Sequence, residues 1–89
     1  MNASYTIRFA DGAGTITKEY KPRFSQVTNG LRASVAKLGD LSRITTDMNI
    51  LNSFLALILD TTDDFTDALP EDTDAVVTDF FTLFSKKTS

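Results

Sequence analysis

The sequence predicts an α+β fold: an N-terminal β-hairpin followed by three helices and one extra helical turn, in a single small domain. Three observations carry this. Residues 4–9 (SYTIRF) and 15–20 (TITKEY) alternate apolar and polar side chains on either side of the glycine-bearing ADGAG, the pattern of two strands joined by a tight turn. From residue 24 onward the apolar residues recur at helical spacing. The chain has 89 residues, which is room for one core and no more.

In the hairpin, Tyr5, Ile7 and Phe9 share one face, and Thr6 and Arg8 the other. The second strand alternates more weakly, with Ile16 and Tyr20 apolar. A lone hairpin is marginal in water, so the Tyr5/Ile7/Phe9 face must rest on helices or on another chain. Pro22 ends the extended part. Ser25 caps a helix running to Leu38, because Phe24, Val27, Leu31, Val35 and Leu38 follow at spacings of 3, 4, 4 and 3. Gly30 weakens that helix by about 1 kcal/mol relative to alanine, and Gly39 is placed to end it.

The next helix spans about 47–59, capped by Thr45, Thr46 or Asp47. Met48, Ile50, Leu51, Phe54, Leu55, Leu57, Ile58 and Leu59 surround it, which makes it the central helix. DTTDD at 60–64 is a turn, and the extra helical turn carries Phe65, Ala68 and Leu69 before Pro70 breaks it. The last helix begins at 71–73, with Glu71, Asp72 and Asp74 at its start and Lys86 and Lys87 at its end, matching the helix dipole at both ends. The domain therefore divides into a hairpin over 1–21, a helical part over 22–85 and a frayed tail over 86–89. The expected core is Ile7, Phe9, Ile16, Val27, Leu31, Val35, Leu38, Leu51, Phe54, Leu55 and Ile58.

Composition narrows function by exclusion. With neither cysteine nor histidine, thiolate chemistry and the usual base near neutral pH are missing. The longest apolar run, FLALIL at 54–59, falls far short of the roughly 20 residues that span a bilayer. No leader-like pattern of basic then apolar residues opens the chain, so the expected setting is a cytoplasm (a host's, if the protein is viral) and not a membrane. Asp60, Asp63, Asp64 and Asp67 lack the alternate spacing, central glycine and distal glutamate of a calcium loop. Paired carboxylates such as Asp63 and Asp64 have no nucleophile beside them. Neither an enzyme nor a cofactor or metal is expected. A pI of about 4.6 also argues against nucleic acid as partner, although Lys18, Tyr20, Lys21 and Arg23 cluster.

Charge is unevenly divided. Residues 1–43 sum to +4 and residues 44–89 to −7. Two readings fit: head-to-tail association of copies, or two charged faces of one fold. The C-terminal aromatics pose a similar choice. Val76 and Val77, then Phe80 and Phe81, are adjacent pairs that point about 100° apart on a helix, so one neighbour does not bury both members. Val76, Val77, Phe80, Phe81 and Phe84 are therefore candidate partner-binding residues as well as candidate core.

The order of elements resembles the tail assembly chaperones of long-tailed bacteriophages. The matching stretches are KEYKPRFSQVTNGLRASVAKL, NILNSFLALIL and DDFTDALPEDTDAVVTDFFTLF, roughly residues 18–84. The likeness is most specific at Phe65-Thr66-Asp67 and Leu69, and Phe65 and Leu69 join the candidate binding residues. The hairpin is longer and more regular than the resemblance leads one to expect. What the resemblance implies is a non-catalytic protein of tail morphogenesis that shields the helical, apolar tape-measure protein, self-associates into homo-oligomers, and often comes in two forms through a programmed frameshift. Two other readings are a small acidic phage or bacterial inhibitor that binds one folded target, and a structural virion component or edge-paired dimer.

Overall fold

The computed structural model describes the backbone of residues 4–86 and the side chains of residues 4–83. Strand β1 (Tyr5–Asp11) pairs antiparallel with β2 (Gly14–Tyr20), in a register running from Tyr5 opposite Tyr20 to Asp11 opposite Gly14. The two-residue loop places Gly12 at φ 61° while Ala13 keeps negative φ. Glycine first with positive φ is the signature of a type II′ turn, whose twist suits the flanking strands. Helices α1 (Asn29–Ala36), α2 (Leu41–Thr46), α3 (Met48–Leu59) and α4 (Pro70–Lys86) follow. The fold is α+β, as the residue pattern implies. Its Cα radius of gyration is 12.8 Å, close to the about 12 Å of a compact chain of this length.

One core joins all elements: Tyr5, Ile7 and Phe9 from β1, Tyr20 from β2, Leu31 and Val35 from α1, Ile44 from α2, five residues of α3, and Val76, Val77 and Phe80 from α4. Helix α3 is central, with Leu51, Phe54, Leu55, Ile58 and Leu59 buried. Asp47 caps it by accepting from the amides of Asn49 and Ile50 at 3.0 and 3.3 Å.

Several expectations are corrected. Helix α1 starts at Asn29, not Ser25, because Thr28 is the residue whose hydroxyl accepts from Leu31 N at 3.2 Å. The residues before it run irregularly, and Arg23 N donates to Ile58 O at 2.6 Å. Segment 41–46 is a helix of its own, α2, capped by Asp40. Residues 65–68 close the expected single turn, with Ala68 N donating to Phe65 O at 3.1 Å, and residues 67–69 then pair along β1, which the sequence pattern does not show. Ala10 N donates to Asp67 O at 2.8 Å, Leu69 N donates to Arg8 O at 2.9 Å, and Phe9 bridges Ala68. Pro70 opens α4 where a break was expected, a position where its missing N–H costs nothing. Ile16, expected in the core, is 46 % exposed. Leu38 is only partly buried. Of the frayed tail expected at 86–89, Lys86 closes α4 and the rest lies outside the described residues. Among the described residues no helix is long and apolar enough to cross a membrane.

Candidate partner-binding surface

The seven candidate residues separate into different environments. Phe65, Val76, Val77 and Phe80 are buried within the chain's own core. Leu69 and Phe81 are half-buried. The side chain of Phe84 lies outside the described residues.

Phe65 is held from three sides. Its ring lies 5.6 Å from Phe9 and 5.5 Å from Tyr20, centroid to centroid. Its backbone N–H donates to the Asn52 side-chain oxygen at 3.0 Å, while the Asn52 amide donates to Asp64 at 3.0 Å. Asn52 thus fastens the 60–69 segment to α3. Hydrophobic periodicity gives no signal for such a polar residue on a central helix. The adjacent phenylalanines of α4 are both satisfied through α3. Phe80 meets Phe54 edge to face at 5.4 Å, and Phe81 stacks on Phe54 at 6.4 Å. Phe80 takes the inner position and is fully buried. Phe81 takes the rim, and Leu83 beyond it is also only partly covered.

The acidic residues are engaged by the hairpin side of the molecule. Arg8 pairs with Asp72 at 2.8 Å and with Glu71 at 2.7 Å. Asp72 also accepts from Arg8 N at 2.8 Å, which satisfies a β1 edge amide. These bonds from Arg8 hold the Asp72 carboxyl below the usual carboxylate range, against a smaller opposing effect of burial. Asp63 accepts from the Tyr20 hydroxyl at 2.6 Å and pairs with Lys18 at 3.5 Å. The Tyr20 bond depresses the Asp63 carboxyl, while burial and Asp63 push the Tyr20 phenol well above its ordinary 10.0. Asp64 is depressed by the Thr66 hydroxyl and then by Asn52. Arg23 pairs with Asp60, and Tyr5 donates to Asp79. The basic first half and the acidic second half therefore meet inside one molecule.

Among the described residues no group of three acids could hold a metal ion. What the arrangement offers is surface: the partly covered Phe81 and Leu83 late in α4, and two large apolar side chains left in solvent, Ile16 and Leu41. Comparison with family models, curated proteins and solved structures finds no match. Any functional reading therefore rests on the residues themselves.

Proposed function

We propose that this chain is a non-catalytic assembly chaperone of the phage-tail kind, which binds and shields an apolar helix of a tape-measure protein. The observation that supports it is the end of α4. Upstream positions of that helix are saturated by the chain's own core, but Phe81 and Leu83 are left part-covered. The part-covered Phe81 offers an amphipathic partner helix an apolar anchor, while Leu83, two residues on and about 200° round the helix, lies on another side of it. The site is smaller than seven residues, because Phe65, Val76, Val77 and Phe80 already serve the core. The acidic-inhibitor reading has less support, since Asp60, Asp63, Glu71 and Asp72 are already paired with Arg23, Lys18 and Arg8. A labelled tape-measure helix titrated with the protein tests the reading. Saturable binding that Phe81→Ala weakens is expected. Absence of binding, or binding indifferent to Phe81→Ala, removes the reading.

A further inference from the structure

β1 is paired along both edges, by β2 on one side and by residues 67–69 on the other. β2 is paired on one edge alone among the described residues. Register shows which of its groups are open. The carbonyl of Arg8 and the amide of Ala10 turn away from β2 toward residues 67–69. Arg8 and Ala10 therefore sit in the non-hydrogen-bonded pairs of the hairpin. Their partners are Thr17 and Thr15, which must turn their own N–H and C=O to the opposite, outer edge. Glu19 follows by alternation.

Every residue of β2 except Tyr20 is exposed. Thr15, Ile16 and Thr17 are strong strand formers. An inward-pointing lysine normally guards an open edge, but Lys18 is held within its own chain. Its ammonium lies 3.5 Å from Asp63 and 5.4 Å from the centre of the Phe9 ring.

We propose that the β2 edge pairs with β2 of a second copy, antiparallel and centred on Thr17. That register puts Thr17 opposite Thr17 of the second copy, and Thr15 opposite Glu19 of the second copy. Both N–H···O bonds form at each of these pairs. Ile16 falls opposite Lys18 of the second copy, whose aliphatic stem covers the apolar side chain that the monomer leaves 46 % exposed. No like charges face each other. The contact is isologous, so it closes at two copies. One strand pair falls short of the about 1,200 Å² of a standard interface, so the dimer is weak and reversible. The inference stands apart from helix binding by α4.

Sedimentation equilibrium from micromolar to millimolar concentration tests it, with two variants of equal net charge. Thr17→Lys sets two ammonium groups face to face across the dyad and should weaken the dimer by about three- to tenfold. Thr15→Lys sets an ammonium opposite Glu19 of the second copy and should tighten it several-fold. Both positions are exposed, and far-UV circular dichroism checks that each variant is folded. Opposite shifts establish the edge and the register. A wild-type monomer at every concentration overturns the proposal, as do two variants that shift the same way or not at all.

Discussion

Phe80 and Phe81 are neighbours in sequence with different duties, and truncation should separate them. Phe80 is fully buried against Phe54, so Phe80→Ala should cost about 3–5 kcal/mol in urea unfolding. Phe81→Ala should cost less than half of that, because the rim position loses less covered area. Equal costs would mean that Phe81 is as much core as Phe80. The carboxylates make a second residue-scale prediction. Asp63, Asp64 and Asp72 are all held below their ordinary 3.8. A depressed carboxyl adds stability above its unfolded value and loses it as pH falls through the folded one. The urea midpoint should therefore hold from neutrality down to about pH 4 and then fall. Asp72→Asn should lower the neutral plateau and make the acid limb shallower. Tyr20 acts in the other direction: with its phenol raised, its bond to Asp63 is kept below pH 10 and lost as pH climbs through the raised value.

At the scale of elements, legibility followed the length and one-sidedness of each apolar pattern. The hairpin, α3 and α4 could be read because alternation or helical recurrence persists across them. α2 could not: its six residues bury only Ile44, and one buried residue has no period. The 65–69 segment is half legible: the spacing of Phe65 and Ala68 marks the turn they close, but the bonds of Asp67 and Leu69 to Ala10 and Arg8 along β1 leave no periodic signal. Pro70 has two meanings, since proline both ends helices and opens them. Gly39 is the hinge into α2. Its φ is 126°, and a Cβ there would come within 2.8 Å of Arg43 Cδ. Gly39→Ala should therefore destabilise by about 1–3 kcal/mol, seen as a lower melting temperature. An unchanged melting temperature would mean that α2 shifts freely.

For the whole molecule, part of the division of charge along the chain is matched within one copy. Arg8, Lys18 and Arg23 from the basic half meet Glu71, Asp72, Asp63 and Asp60 from the acidic half. Sequence alone could not foresee these pairings, because they depend on which faces the fold brings together. The aromatic band at the end of the chain was ambiguous for the same reason. Adjacent apolar pairs need two supporting surfaces, and Val76, Val77 and Phe80 find them inside the core. Among the large apolar side chains described in α4, Phe81 and Leu83 are the ones left part-covered, on different sides of the helix. The chaperone reading depends on the part-covered Phe81, and fluorescence anisotropy of a labelled tape-measure helix at low and high salt tests it most directly. The expected result is saturable binding that changes little with salt, because apolar contacts are not screened, and that Phe81→Ala weakens. Binding that collapses as salt rises, or none at all, would contradict it.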